Sequence, residues 1–173
     1  MNSGDAASVA DSNRAVNQVA DHFWDGVLER DPVFATILGI DTYDDRLPDL
    51  GEKGRQEDAA ALGETLAAAE AIPADGLEPE QVITRDMLIL VARNHLEAYE
   101  QKQYQLAVDH IFGVQTMPAR IAQYQVADTP ERLERMLARF AAYPTAIAQQ
   151  IETLREGISD GRTTASVPVR KAI

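Results

Sequence analysis

The sequence predicts an all-α protein, a helical bundle with long loops. Apolar residues recur at helical spacing along most of the 173 residues, prolines and glycines stand where helices would begin and end, and no two strand-like segments could pair. The composition is that of a folded chain, with 45% hydrophobic and 25% charged residues. We expect a flexible N-terminus over residues 1–12, a single helical domain over 13–162 and the start of a further helix over 163–173.

The first helix is predicted to end before Asp31-Pro32, because a proline disfavours the helical conformation of the residue before it. A short helix over 33–38 should then stop at Gly39, which adopts the left-handed conformation at low cost. The following segment, 40–51, is polar and rich in turn residues, which predicts a loop. The apolar face of the first helix repeats every three or four residues: Val16, Ala20, Phe23 and Val27.

Two longer helices are predicted after this loop. Residues 55–71 are rich in alanine and favour helix. Pro79 suits the first position of the next helix. Because that helix is apolar on almost every side between Met87 and Val91, we expect it to run through the centre of the bundle.

The second half of the chain begins with an alternating pattern over 104–114, which predicts an extended connection. A short helix is expected over 117–124, and Thr129 with Pro130 should open another. Pro144 divides the remaining apolar pattern between two helices, and Gly161 should end the second. The pattern steps by four and three residues: Leu133, Leu137, Phe140, Pro144, Ile147, Ile151, Leu154 and Ile158.

The last residues, from Val167 to Ile173, begin a further helix with a proline in its first turn. A helix of two turns cannot bury its apolar face. We therefore expect Ile173 to be a truncation point and the sequence to be an incomplete N-terminal part of a larger helical protein.

Charge and composition exclude several classes of function. The chain has 16 Lys and Arg against 28 Asp and Glu, a net charge of −12, and no cysteine, which excludes a disulfide scaffold, a cysteine nucleophile and a cysteine-ligated metal. Arg132, Arg135 and Arg139 share one helix face, but Glu131 and Glu134 lie beside them, so no basic stripe for nucleic acid is present. Without a secretory signal or a long apolar segment, we expect a cytoplasmic protein with neither nucleic acid nor membrane as a partner.

The segment Gly157-Ile-Ser-Asp-Gly161 matches the G-x-S-x-G motif of serine hydrolases. In those enzymes the serine follows a strand and a histidine lies downstream. Here a helix comes before the motif, a polar loop comes after it, and no histidine follows. The motif therefore predicts a helix cap.

The acidic loop has twelve residues from Asp41 to Glu52, the length of a calcium-binding loop. Tyr43 stands where that motif requires an oxygen ligand, and Arg46 stands where it requires glycine. We therefore favour a solvated loop in which aspartates pair with Arg46.

The three histidines, His22, His95 and His110, do not form the H-E-x-x-H pattern that places two imidazoles on one helix face. The sequence thus predicts no zinc site from this chain alone. His95 lies between Val91 and Tyr99 at helical spacing, and we expect it to be half-buried and hydrogen-bonded.

Six segments of the chain occur in a fixed order and spacing: Asp31-Pro-Val-Phe-Ala-Thr-Ile-Leu-Gly39, Tyr43-Asp-Asp-Arg-Leu-Pro-Asp49, Ile83-Thr-Arg-Asp86, Gly113-Val-Gln115, Thr129-Pro-Glu-Arg-Leu133 and Leu154-Arg-Glu-Gly-Ile158. Through these segments the sequence resembles the bacterial domain-of-unknown-function family 885 from Phe23 onward. The largely helical members of that family look like zinc metallopeptidases through an H-E-x-x-H-type motif in a C-terminal half that this sequence lacks. The resemblance thus implies zinc for a full-length parent and no catalytic or metal-binding residue here.

The resemblance implies that this chain is a non-catalytic N-terminal helical part of a parent that hydrolyses peptide or peptide-like bonds. Its partners would be the missing C-terminal portion or further copies of itself, with a peptide substrate in the parent. The alternative is a stand-alone acidic module that binds proteins through 167–173 and the 133–158 seam. By position in the family, six residues are candidates to approach the substrate cleft: Tyr43, Asp44, Asp45, Arg46, Phe112 and Gln115.

Overall fold

The computed structural model describes residues 3–106, 111 and 113–172. These residues form helices and turns with no strand among them, so the predicted all-α class is confirmed. Short 3₁₀ helices cover Gln103–Leu106 and Val114–Thr116. The α-helices are α1 (Ser3–Arg30), α2 (Pro32–Ile37), α3 (Glu52–Glu70), α4 (Pro79–Glu100), α5 (Met117–Tyr124), α6 (Pro130–Ala141), α7 (Tyr143–Ser159) and α8 (Ser166–Ala172).

The chain folds as two compact units, where the sequence predicted a single domain. The first consists of Met1–Val27 and Glu57–Gln101, and the second of Leu28–Gln56 and Lys102–Ile173. Helix α1 begins at Ser3, within the stretch that was predicted to be flexible. That stretch is rich in alanine, the residue with the highest helix propensity.

The first unit is held by small residues and a few polar ties. Val16, Ala69 and Ala92 are completely buried, and the small side chains allow the helices to approach closely. The Arg85 guanidinium donates from Nε to the carbonyl oxygen of Ile72, 2.6 Å away. This bond connects α4 to the segment that follows α3.

Helix α4 is not the central helix that the sequence predicted. Ile83, Met87 and Leu90 are 65%, 52% and 52% exposed, whereas Leu88 and Ala92 are buried. When a helix is apolar on several sides, its sequence does not determine which side packs against the neighbouring helices. In α4 the side that contains the small residue Ala92 packs. The prediction was wrong because periodicity does not indicate which apolar face has a partner.

The second unit begins with α2, whose two ends follow the predicted capping chemistry. The Asp31 side chain accepts a hydrogen bond from the Phe34 amide at 3.0 Å. At the other end, Gly39 has a φ of 81° and donates to the Thr36 carbonyl at 3.0 Å. The predicted stop at Gly39 is confirmed.

Helices α6 and α7 also begin and end at the predicted signals. Thr129 caps α6, and the predicted break near Pro144 is confirmed because α6 ends at Ala141 and α7 begins at Tyr143. At the end of α7 the Gly161 amide donates to Ile158 at 3.1 Å and the Arg162 amide to Gly157 at 2.7 Å. This pair of bonds is a Schellman motif, so the G-x-S-x-G segment is a helix cap, as predicted.

The buried face of α6 and α7 is not the apolar face. Their buried side is polar or small, and it includes Arg139, Ala146, Gln150, Thr153 and Gly157. The four-three apolar pattern instead lies mostly outside. Its exposed members with large side chains are Leu133, Leu137, Ile147, Ile151 and Ile158.

The predicted extended connection over 104–114 is helical at its start, because Gln103–Leu106 is a 3₁₀ helix. Gln105 is buried at 2% exposure, and Tyr104 stacks on the Arg55 guanidinium at 4.5 Å. These contacts stabilise a 3₁₀ turn at Gln103–Leu106 in place of the extended conformation that the alternating apolar pattern predicted. Residues 107–110 and 112 lie outside the described part of the chain.

Within the ranges the structure describes, no helix has both the length and the apolar character that a membrane span requires.

Replacement of the capping threonine, Thr129→Ala, is expected to lower the free energy of unfolding by about 1 kcal/mol, because the Arg132 amide loses its acceptor 3.3 Å away. Urea unfolding monitored by circular dichroism measures this change. Thr129→Ser keeps the hydroxyl and should stay close to the wild-type value. Equal losses in both variants would contradict a capping role.

Candidate functional site

The loop after α2, which contains four of the six cleft candidates, is held in place by α6 and α7 of the second unit. Asp44 is buried at 5% exposure, Tyr43 is half-buried, and Asp45 and Arg46 are exposed. Arg46 pairs with Asp45 at 3.5 Å, as predicted, and its guanidinium lies 5.2 Å from the Tyr43 ring centre. The prediction of a solvated loop was wrong at Asp44, which is buried.

Arg139 of α6 is the centre of the loop's attachment. Its side chain is completely buried, and each of its five N–H donors has an acceptor. Three of the acceptors are backbone carbonyls and two are side-chain oxygens. Nε donates to Arg46 O at 2.9 Å, Nη1 to Thr36 Oγ1 at 2.8 Å and Gln125 Oε1 at 3.0 Å, and Nη2 to Pro32 O at 3.2 Å and Tyr43 O at 2.7 Å.

The buried charge of Arg139 is balanced by Asp44. Asp44 Oδ1 lies 3.4 Å from Arg139 Nη2 and accepts a 2.6 Å hydrogen bond from the Thr36 hydroxyl. Gln125 donates from its side-chain amide to the Asp44 carbonyl at 2.9 Å. Burial lowers the pKa of Arg139, and the Asp44 carboxylate acts in the opposite direction by favouring the charged guanidinium.

Two more arginines on the same face of α6 attach the start of the loop. Arg132 lies 3.4 Å from the Asp41 carboxylate and 2.9 Å from that of Asp128. Arg135 donates to the Asp41 carbonyl. The spacing of these arginines was visible in the sequence, but only the fold reveals that the acidic loop is their partner.

The far end of the loop is attached to α7. Gln149 accepts from the Leu50 amide at 3.1 Å and donates to the Asp49 carboxylate at 2.7 Å. Arg55 donates to the Leu50 carbonyl at 3.1 Å and to the Thr153 hydroxyl at 2.6 Å. Sequence reasoning missed Gln149 and Arg55, since neither residue belongs to a motif. The loop is thus fixed at both ends.

The cavity beside this loop is small, with a volume of about 80 Å³. Because water occupies about 30 Å³ per molecule in the liquid, the space suits a few waters rather than a peptide. Its lining residues are Thr36, Gly39, Ile40, Asp41, Asp44, Tyr124, Val126 and Arg132.

Comparison with known families decides the identity of the chain. The family model described as bacterial protein of unknown function, DUF885, matches residues 32–173. The chain belongs to the DUF885 family. The matched range contains the loop, α6 and α7, so every contact of the Arg139 network lies within the DUF885 region. No curated protein matches the chain.

The six cleft candidates of this DUF885 chain are only partly brought together. Tyr43, Asp44, Asp45 and Arg46 lie in the one anchored loop. Gln115 is exposed in the separate 3₁₀ helix Val114–Thr116, which α7 contacts through a hydrogen bond from the Tyr143 hydroxyl to the Val114 carbonyl. Phe112 lies outside the described residues. The cleft itself stays a prediction.

A zinc ion, which DUF885 resemblance implies for the parent, does not fit the described part of this chain. Among residues 3–106, 111 and 113–172, no three His, Asp or Glu side chains could share a metal ion. His22 and His95 are exposed, and His110 lies outside the described residues. The expectation that His95 is half-buried was wrong, because Ala92 is the last buried residue of α4.

A second, wider groove lies near the end of α7, with a volume of about 400 Å³. At its edge, Lys102 pairs with Asp160 at 2.7 Å, and Gln105 donates to the same carboxylate at 3.0 Å. The hydrogen bond from Lys102 is the main cause of a lowered pKa of Asp160. The charges that line this groove are thus already paired.

The lowered pKa of Asp160 predicts a small pH dependence of stability. Since the folded-state pKa lies below the ordinary value of 3.8, the stabilisation is complete above that value and is lost as the pH falls through the folded-state pKa. Asp160→Asn should remove this component, so its unfolding free energy should fall less than that of the wild type on acidification below pH 3.8. Urea unfolding at a series of pH values measures the difference, and parallel curves would contradict it.

Proposed function

We propose that this chain is a non-catalytic helical part, N-terminal in its parent, of a DUF885 protein, and that the parent is a zinc-dependent hydrolase of peptide or peptide-like bonds. We also propose that the protein is cytoplasmic. In the parent, the anchored loop forms a wall of the substrate cleft. The zinc ligands come from the C-terminal portion, which packs against this part.

The Arg139 network is the observation that favours a structural, non-catalytic role for this chain. Arg139 and Asp44, the buried charged groups that attach the loop, form their hydrogen bonds with the backbone and with neighbouring side chains. A catalytic group needs a free position within about 3 Å of a reacting atom. The network instead fixes the loop backbone that carries the exposed residues Asp45 and Arg46, as a cleft wall requires.

The test begins with the native polypeptide, isolated from its source with an antibody raised against residues 1–173. We expect a species heavier than the 19.0 kDa of this chain, containing bound zinc. Its peptide hydrolysis should stop after chelation and return with added zinc. The purified 173-residue chain should show no metal-stimulated turnover.

Two outcomes would overturn the proposal. Metal-stimulated peptidase turnover by the 173-residue chain would show that this part is itself catalytic. A zinc-free, inactive native protein would remove the hydrolase. In either case the Arg139 network would still fix the loop, but the fixed loop would have another role than the one proposed.

A stand-alone acidic protein-interaction module is the second candidate, favoured by the exposed apolar side chains of α6 and α7. Leu137 and Ile158 are 59% and 66% exposed, and Leu133, Ile147 and Ile151 of the same two helices are exposed as well. A native species of 19.0 kDa, made by the cell as such, would favour this candidate. A heavier, zinc-containing species would exclude it.

A further inference from the structure

The side of α4 opposite its buried residues carries large apolar side chains. Ala92, which is completely buried, follows Ile83 by two and a half helical turns and so lies on the other side of the helix. Met87 and Leu90 continue from Ile83 at spacings of four and three residues, which aligns the three side chains in one stripe. Each of the three is more than half exposed. Since the solvent-facing side of a surface helix is ordinarily polar, this apolar stripe indicates an interaction site.

Acidic residues stand at both ends of the stripe. Glu80 lies three residues before it and Glu97 seven residues after it, so both continue the same line along the helix, and both are exposed. The helix is uninterrupted from Pro79 to Glu100, which keeps the line straight. We call this line the outer face of α4, and it consists of Glu80, Ile83, Met87, Leu90, Asn94 and Glu97.

The negative charge of the chain is concentrated in the unit that contains this face. The first unit holds half of the chain's 28 acidic residues but only three of its 16 basic ones. Glu80 and Glu97 are not among the partners of those three arginines, and Glu97 instead accepts a 2.9 Å hydrogen bond from the uncharged Gln101 side chain. The ends of the outer face therefore keep their negative charge, which attracts cationic groups. The three arginines pair within the unit, Arg14 with Asp11 at 3.3 Å, Arg85 with Asp86 at 2.7 Å and Arg93 with Glu70.

We propose that the outer face of α4 is the docking surface for a basic amphipathic helix of a partner protein. The apolar side of that helix packs on Ile83, Met87 and Leu90, and the unbranched Met87 side chain adapts to the shape that it meets. Lysines or arginines near the ends of the partner helix pair with Glu80 and Glu97. At 1.5 Å per residue these glutamates are about 25 Å apart along α4, which matches a partner helix of about five turns.

Charge selects this occupant over two others. A second copy of the chain has the same net charge of −12, and an anionic membrane surface is also negative, so the first unit repels both. A basic amphipathic helix satisfies both features of the face, because it covers the apolar stripe and pairs with the glutamates at its ends.

The first experiment measures, by fluorescence anisotropy, the binding of a labelled synthetic peptide of about 18 residues to the 173-residue chain. The peptide has leucines at three- and four-residue spacing and lysines elsewhere, and a second peptide has glutamate in place of every lysine. We expect the lysine peptide to bind, less tightly as the salt concentration rises, and the glutamate peptide not to bind. Met87→Gln should weaken binding at least tenfold, because it removes apolar contact without changing the net charge. Leu137→Gln, at a similarly exposed apolar residue of the second unit, is the matched control and should bind like the wild type.

The second experiment tests the acidic ends of the face. Glu80→Gln combined with Glu97→Gln should weaken binding of the lysine peptide about fivefold. Glu64→Gln combined with Asp75→Asn removes the same amount of charge from exposed positions elsewhere in the first unit and should have a much smaller effect. The comparison separates contact with the face from attraction by the unit as a whole. All of the substituted side chains are exposed, and circular dichroism confirms that each variant is folded.

Several results would overturn the inference. Equal binding of the two peptides, or equal losses in Met87→Gln and Leu137→Gln, would contradict docking at this face. Sedimentation of the chain with phosphatidylserine vesicles, or formation of a dimer, would assign the face to another occupant if Met87→Gln abolished it. Binding of the lysine peptide by the 173-residue chain but not by a longer native polypeptide would assign the face to the parent's own C-terminal portion. The inference does not depend on zinc or on hydrolysis, so it and the proposed function can fail independently.

Discussion

Arg139→Ala is expected to lower the free energy of unfolding by about 3–5 kcal/mol, the largest effect of any single substitution considered for this chain. The guanidinium is completely buried, and its removal leaves the Asp44 carboxylate, 7% exposed, without its balancing charge. It also leaves the Tyr43 and Arg46 carbonyls without their donor. Urea unfolding followed by circular dichroism and by tyrosine fluorescence measures the loss.

Three variants separate the network from a general effect of losing an arginine. Arg132→Ala removes a 40% exposed side chain from the same helix face and should cost far less. Arg139→Lys should recover little, because an ammonium cannot reproduce five donors in a planar fork. Asp44→Asn should recover part of the loss in the Arg139→Ala background, since it removes the uncompensated charge. Similar losses for Arg132→Ala and Arg139→Ala would contradict the network.

The helix boundaries could be predicted because the chemistry that sets them is local. Asp31, Pro79, Thr129 and Gly161 each act on backbone groups within a few residues. A cap or a proline needs no knowledge of the rest of the fold. Each of these boundaries lies where the sequence places it.

The orientation of each helix about its axis could not be predicted in the same way. Periodicity identified the apolar face of α4 and the seam of α6 and α7, but the faces that pack are those of Ala92 and Arg139. In both cases a buried or half-buried arginine on the packed side bonds a distant carbonyl group: Arg85 bonds Ile72 in α4, and Arg139 bonds Arg46 of the loop in α6. Such ties depend on carbonyl groups that no pattern in the sequence marks.

The sequence predicted where the loop of the candidate site begins and ends, but not which residues it contacts. Turn residues and aspartates marked 40–51 as a loop, yet its partners lie about ninety to a hundred positions away, as for Arg46 with Arg139 and Asp49 with Gln149. Three arginines on one helix face and one acidic loop could have been matched by charge alone. That match would have predicted that the loop packs against α6. It would not have predicted that Asp44 is buried beside Arg139.

A second substitution, Gly54→Ala, tests whether the loop is as tightly held as these contacts indicate. Gly54 lies in the first turns of α3, and a methyl group there would come within 2.8 Å of the Asp49 Cβ and 2.9 Å of its carbonyl carbon. Real carbon atoms do not approach so closely, so either α3 or the loop must shift. We expect a loss of about 2–3 kcal/mol in the free energy of unfolding.

Gly63→Ala in the same helix provides the matched control. Nothing lies within 4 Å of the added methyl group, and Gly63 has no positive φ, so alanine should stabilise α3 by about 0.5–1 kcal/mol through its higher helix propensity. The same substitution should thus have opposite signs at two positions of one helix. Because Asp49 is tied to Gln149 at 2.7 Å, the loop cannot move aside without losing that bond. A stabilising Gly54→Ala would show instead that the loop yields at little cost, and a fixed cleft wall would then be untenable.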